Sequence, residues 1–195
     1  MGLPPLEIER RFRILDATKL PPLGAPMHII QCYLPHWKIE LGEDELCFDG
    51  QVIVPNLSKN EIRGLQDSFG DKIRPRLRLV DSLAFVTVKG PLVDGTRIEW
   101  EWEVSPHLLK ELVNSMRFPN VLKRRYEIQE INDLVWEIDF FEGDNYGLVL
   151  AEIELPSVDA GFPRPDWLGP EVTEDDRFGN GSLAREPWCD LREEL

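Results

Sequence analysis

Polar and apolar residues alternate with a period of two along most of this chain, and each such run predicts a strand. The opening run Leu6-Glu7-Ile8-Glu9-Arg10-Arg11-Phe12 sets Glu7, Glu9 and Arg11 on one face. Residues 96–104 put Arg97, Glu99, Glu101 and Glu103 opposite Ile98, Trp100, Trp102 and Val104. Arg74, Arg76 and Arg78 oppose Ile73, Leu77 and Leu79, while Lys123, Arg125 and Glu127 oppose Tyr126 and Ile128. Glu137 and Asp139 oppose Trp136, Ile138 and Phe140, and Glu152 and Glu154 oppose Ile153 and Leu155. The strands predicted in this way cover about 6–14, 27–34, 73–80, 83–90, 96–104, 121–129, 134–142 and 147–155. Val93-Asp94-Gly95-Thr96 and Glu142-Gly143-Asp144-Asn145 are turn sequences between neighbouring strands, which favours antiparallel hairpins.

A period near 3.6 shows at about 106–117, where Leu108, Leu109, Leu112, Val113 and Met116 form a stripe behind Ser105 and Pro106. Serine suits an N-cap and proline the first helical position, so a helix is predicted there. A second, short helix is expected after Ser58, with Glu61 completing a capping box. Segment 35–72 looks like an insertion between strands. It carries Glu43, Asp44, Glu45 and Asp49, an apolar piece Val52-Ile53-Val54 and the short helix. The stretch after Pro156 is rich in proline, glycine and acids, yet it retains Trp167 and Trp188, which suggests docking onto the body. No internal repeat is visible. The expectation is one α+β domain, mainly β, over residues 1–195, with the insertion at about 35–72 and a closing segment at about 156–195.

Composition narrows the function. The 195 residues are 42% hydrophobic, enough for a sizeable core. A net charge of −14 and a pI near 4.7 argue against nucleic acid held through its phosphates. Residues 156–195 hold ten Asp/Glu against four Arg, so much of the acidity is local. Cys32, Cys47 and Cys189 are odd in number and lack metal-ligand spacing, which reads as a reduced, cytoplasmic chain. No apolar run is long enough to cross a bilayer, so no membrane partner is expected, and the sequence favours neither monomer nor homodimer.

A sheet with one wet face would also alternate. Two details favour a different use. Charges of one sign stack along single strands, and the polar positions lack the usual mixture of Thr, Ser, Lys and Gln. Turned inward, these faces would line a hydrophilic tunnel. Crowded carboxylates suit Mg²⁺ or Mn²⁺, and arginine forks match phosphate oxygens. That pairing is the division of labour for phosphoryl transfer.

These residues resemble the CYTH family of triphosphate tunnel enzymes. The likeness starts at Glu7-Ile8-Glu9-Arg10-Arg11, for an E-x-E-x-K signature, and continues through Gln31-Cys32-Tyr33-Leu34, Arg76-Leu77-Arg78 and Val88-Lys89-Gly90. It runs on in Arg97-Ile98-Glu99-Trp100-Glu101, Lys123-Arg124-Arg125-Tyr126, Ile138-Asp139-Phe140-Phe141 and Ala151-Glu152-Ile153-Glu154-Leu155. The segment from Gly169 to Asn180 looks like the family's closing segment. The resemblance implies an eight-stranded antiparallel closed barrel with helices packed outside. It also implies metal-dependent hydrolysis of a small-molecule triphosphate, inorganic triphosphate first, by in-line attack of a metal-oriented water. By the same resemblance, Glu7, Glu9, Asp139, Glu152 and Glu154 would hold Mg²⁺ or Mn²⁺. Arg11, Arg76, Arg78, Lys89, Arg97, Lys123 and Arg125 would hold phosphate oxygens, with Glu7, Glu9 and Arg11 forming the catalytic group. Glu99 and Glu101 would serve a second metal or position the basic residues.

Arg11 stands where the family usually has lysine. An arginine cannot act as a base, so charge stabilisation is the role left to it. Thiamine triphosphatase and class IV adenylate cyclase are alternatives of the same family. A non-catalytic polyphosphate-binding module is the alternative of another class.

Overall fold

The computed structural model describes residues 8–69, 73, 75–93, 96–115, 118–130, 133–157 and 159–192. The strands are β1 (Ile8–Arg13), β2 (Met27–Tyr33), β3 (Ile39–Leu41), β4 (Leu46–Phe48), β5 (Gln51–Val54), β6 (Pro75–Val80), β7 (Leu83–Val93), β8 (Thr96–Val104), β9 (Asn120–Gln129), β10 (Val135–Phe141) and β11 (Val149–Leu155). The helices are α1 (Lys59–Phe69), α2 (Pro106–Ser115), α3 (Asn180–Leu183) and α4 (Trp188–Leu191). Eight strands form one sheet in the order β1-β11-β10-β9-β2-β6-β7-β8. All eight expected strands are therefore present, within a few residues of their expected limits. Closure of that sheet into a barrel is not among the pairings of the described residues. No helix among them is long and apolar enough to cross a membrane. By contact the chain divides into two compact units, one of residues 1–6 and 31–119, the other of residues 7–30 and 120–195.

In the first unit, the described part of the insertion, residues 35–69, holds more strand than the expected apolar piece. It contains a three-stranded antiparallel sheet, β3-β4-β5, which the alternation did not reveal because strands of three or four residues are too short to show a period. Asp49 and Gly50, at φ 51° and 78°, make the two-residue turn between β4 and β5. Leu46, Phe48 and Ile53 are fully buried, and the Phe48 ring meets Phe118 edge-on at 5.5 Å. Helix α1 starts as expected: Ser58 N donates to Glu61 Oε2 at 2.8 Å, and Glu61 N donates to Ser58 Oγ at 3.2 Å. The free Glu61 oxygen accepts from Trp102 Nε1 at 2.8 Å. A Cβ at Gly64 would come within 3.1 Å of the Trp100 ring. Helix α1 thus lies against the tryptophan face of β8, which assigns that face to packing.

In the second unit, β1, β11, β10 and β9 pair antiparallel in register. One face of this sheet carries Phe12, Trp136, Ile138, Ala151 and Ile153, covered by Trp167. Trp136 meets Phe12 at 5.7 Å and Trp167 at 5.4 Å, both edge-on. The opposite face changes character along the strands. Its Val121, Phe141 and Leu150 end is covered by Val172, Phe178, Leu183, Trp188 and Leu191; the remainder is charged. Both tryptophans of the closing segment are therefore docked, on opposite faces. The buried Asn145 fixes the approach: its Nδ2 donates to Leu183 O at 3.2 Å, and its Oδ1 accepts from Trp188 N at 2.8 Å.

Between those two dockings the chain lies along the edge of β1. Gly169 N donates to Arg13 O at 2.8 Å, Arg13 N to Pro170 O at 2.9 Å, and Val172 N to Arg11 O at 2.8 Å. This occupies the outer edge of β1, whose other edge is paired with β11. The approach is close enough to require glycine: a Cβ at position 169 would stand 2.6 Å from the Arg13 carbonyl oxygen. Gly169→Ala should therefore lower unfolding free energy by about 1–3 kcal/mol, the usual cost of an overpacked position. Urea denaturation checks this, and an unchanged midpoint would mean the strap tolerates displacement.

Candidate active site

The charged positions of the second unit lie in rows set by the strand register. Arg11 pairs with Glu152, Glu152 with Glu137, and Glu137 with Glu127. The neighbouring row runs Arg13, Leu150, Asp139, Arg125. Period-two alternation puts both rows on the same face, with Glu9 and Glu154 in the row beyond Arg11.

These side chains form one continuous net. Arg11 Nε donates to Glu152 Oε1 at 2.7 Å, and its Nη2 donates to Glu9. Arg125 Nη2 donates to the other Glu152 oxygen at 2.9 Å. Arg125 also grips Asp139 with a two-pronged contact, Nε to Oδ1 at 2.7 Å and Nη2 to Oδ2 at 2.6 Å, and its Nη1 donates to Glu137. Lys123 Nζ donates to Asp139 Oδ2 and, at 3.4 Å, to Asn180 Oδ1 of α3. The Lys123 and Asp139 side chains are 2% and 0% exposed. The structure thus gives these two expected ligands to one another, so their charges are neutralised inside the sheet.

A cavity of about 350 Å³ opens at the other end of the face, lined by Glu9, Glu127, Asp133, Glu137, Glu152 and Glu154 among others. Burial, reinforced by the charge of Glu152, pushes the Glu9 carboxyl up to about 7. Burial likewise raises Glu137. At Glu9 and Glu137 the charged form is therefore disfavoured unless a cation accompanies it. The donor set, hard oxygens crowded around a polar cavity, fits Mg²⁺ or Mn²⁺. Among the described residues no three acidic, thiol or imidazole groups already stand in a metal-binding arrangement.

The first unit holds a second charged array. Register aligns Arg76 with Thr87 and Thr87 with Glu101. Arg78 Nη2 donates to both Glu101 oxygens at 3.0 and 3.2 Å, Arg76 Nη2 donates to Thr87 Oγ1 at 3.2 Å, and that hydroxyl donates to Glu101 Oε2 at 2.8 Å. Glu99 lies 3.7 Å from Arg76. Burial, and then the charge of Arg78, hold the Arg76 pKa below its ordinary value. Arg76 Nε and Arg78 Nε are buried without a hydrogen-bond acceptor. An anion, or ordered water, would satisfy donors of this kind.

Of the other expected residues, Glu7 lies outside the described residues. Lys89 and Arg97 fall in β7 and β8, with side chains outside them. Glu127 and Glu137 were missed as site residues, although the alternation that placed Lys123, Arg125 and Asp139 on this face had placed them there too.

The comparisons with known proteins bear on the family of the chain. The chain is 39% identical over 119 residues to the inorganic triphosphatase of Acetivibrio thermocellus, covering 60% of this chain and 76% of that protein. The chain belongs to the inorganic triphosphatase family. A second member, from Nitrosomonas europaea, is 36% identical over 118 residues, covering 58% of this chain and 76% of its own length. Among solved structures, the crystal structure of the inorganic triphosphatase NE1496 superimposes with a TM-score of 0.58 at 27% identity, over 94% of this chain and 97% of that one. No family profile matches the chain. The triphosphatase likeness supports the tunnel-family resemblance carried by the sequence motifs.

Asp139 provides a structural check on the net. Burial alone would raise its pKa, but Lys123 and Arg125 outweigh burial and hold it below the ordinary 3.8. A depressed carboxylate stabilises the fold above its unfolded pKa and loses that contribution as pH falls through the folded one. Stability should accordingly drop below about pH 3.8 as Asp139 protonates. Asp139→Asn at neutral pH should cost about 3–5 kcal/mol in chemical denaturation, because it leaves the buried Lys123 ammonium without a carboxylate while Arg125 keeps Glu137 and Glu152. Wild-type stability in that variant would contradict the pairing.

Proposed function

We propose that this protein hydrolyses triphosphates, inorganic triphosphate first, on the charged face of β1, β9, β10 and β11. The observation that carries this reading is the continuous net from Glu9 through Arg11, Glu152 and Arg125 to Asp139, beside a carboxylate-lined cavity. Surface ion pairs seldom link into a largely buried chain, since each charge then sheds water. A face that sustains such a chain is built to receive further charge.

In this reading Glu9, Glu152 and Glu154 would hold Mg²⁺ or Mn²⁺, with Glu7 assigned to the same set by the sequence motif alone. A bound divalent cation would neutralise phosphate oxygens and lower the pKa of a water molecule. Arg11 and Arg125, already fixed by carboxylates, orient the phosphate chain and balance its charge. Arg11 remains charged at every working pH and does not carry a proton away. Lys123 acts through Asp139, holding that carboxylate where it aims Arg125. Arg76 and Arg78, with their unpaired Nε donors, bind phosphate oxygens, as do Lys89 and Arg97 by their place in the motif. Glu99 and Glu101 position those arginines. That the charged face of this unit is turned away from bulk water is part of the same proposal, and the apolar cover over Leu150 and Phe141 supports it: a wet face would not be capped by Trp188 and Phe178.

The test is phosphate release from inorganic triphosphate, ATP and thiamine triphosphate with Mg²⁺ or Mn²⁺. Metal-dependent release from inorganic triphosphate, lost in Glu9→Gln with the fold intact by circular dichroism, is expected. No release from any of the three would overturn the reading, and cyclic AMP with pyrophosphate from ATP would replace it with a cyclase. Arg78→Ala should raise KM for triphosphate about tenfold, the scale of one charge-assisted contact; an unchanged KM would remove β6 from the phosphate site. Triphosphate with Mg²⁺ should also raise Tm, as linkage requires for any ligand of the folded state.

A further inference from the structure

The alternation that aligns Glu9 with Arg11 continues to Arg13, which the reaction as described does not use. Arg13 lies on the same face, one row beyond Arg11 and opposite Leu150. Its main chain is held on both sides, by β11 and by Gly169 and Pro170 of the strap. Its guanidinium carbon stands 4.9 Å from the centre of the Trp188 ring and 5.7 Å from that of Phe178. Both rings belong to the apolar cluster that caps this end of the face.

The other cations of the face are committed: Arg11 to Glu9 and Glu152, Lys123 to Asp139, Arg125 to Glu137, Asp139 and Glu152. Arg13 forms no ion pair among the described residues. Aromatic faces attract a guanidinium but offer its N–H groups no oxygen acceptor. The five in-plane donors therefore remain for an anion, while the rings restrict where they point. Half-buried, positioned and without a carboxylate, Arg13 has the properties of a phosphate ligand rather than of a structural ion pair.

We infer that Arg13 is a substrate-binding residue for the part of a triphosphate farthest from the Glu9 carboxylates, with Trp188 and Phe178 as its positioning residues. The inference rests on the triphosphatase reading above. From Glu9 to Arg13 the strand advances roughly 13 Å, at about 3.3 Å per residue. A triphosphate laid along β1 from the Glu9 end passes Arg11 and approaches Arg13, where a pyrophosphate held at the same end stops short. The C-terminal segment thereby contributes to recognising chain length, beyond closing one end of the face.

The experiment measures initial rates of phosphate release from inorganic triphosphate with Mg²⁺, with pyrophosphate as competing ligand, in wild type, Arg13→Gln and Arg13→Lys. The expected result for Arg13→Gln is a KM raised about tenfold and a pyrophosphate inhibition constant changed less than about twofold, with partial recovery of KM in Arg13→Lys. An unchanged KM in Arg13→Gln, with wild type active, would overturn the inference and leave the triphosphatase reading standing. Equal weakening of both anions together with a lower Tm in both variants would assign Arg13 a structural role and also overturn it. An inactive wild type would remove the triphosphatase reading itself.

Discussion

The bond between Arg125 and Asp139 is the constraint around which the second unit is organised. A carboxylate with no exposure is tolerated in a sheet only when its charge is met at close range, and here a two-pronged guanidinium and an ammonium both meet it. That arrangement aims the remaining donors of Arg125 at Glu137 and Glu152, and Glu152 in turn holds Arg11. Adjacent strands thus share one charge network, and each member is positioned by its neighbours. Removing one charge leaves its partners uncompensated, so the net resists piecemeal loss. The rigidity suits a binding face for a highly charged anion, since ligands then meet dipoles and charges that need little reorganisation.

The C-terminal segment makes this face one-ended. It reaches the apolar side of the sheet through Trp167, runs along β1 through Gly169 to Val172, and covers the charged side with Phe178 and Trp188. Apolar burial supplies the driving force for the two dockings. The hydrogen bonds along β1 satisfy an edge that would otherwise expose its amides and carbonyls. One end of the charged face is consequently capped by apolar side chains and the other opens into a carboxylate-lined cavity. The raised pKa values of Glu9 and Glu137 belong to that end, where burial raises both and neighbouring carboxylates add to the effect.

Much of this was legible from residue order alone. Alternation located the eight strands of the main sheet and the charged faces they carry, and Ser58 with Glu61 announced α1. The missing pieces share a cause. The β3-β4-β5 sheet consists of strands too short to display a period, although Asp49-Gly50 was a hairpin signal of the usual kind. Glu127 and Glu137 stand on the charged face but match no element of the motif. Arg13 continued the row of Glu9 and Arg11, yet nothing local distinguished it from an ordinary surface arginine.

Sequence by itself determined which residues share a face, because side-chain direction along a strand depends only on parity. It also determined the kinds of charge available and the family to which they belong. The tertiary structure decided which charges neutralise one another and which remain for a ligand. Lys123 and Asp139, indistinguishable by pattern from Arg11 and Glu152, became a buried pair because strand register sets Asp139 opposite Arg125 and leaves Lys123 on the diagonal, where Asn180 of α3 also meets it. Arg13 was left without a carboxylate because its row presents Leu150 and because Trp188, more than 170 residues away in the chain, folds back over it. Pairing of that sort depends on distances between segments remote in sequence, and only the packed chain brings those together.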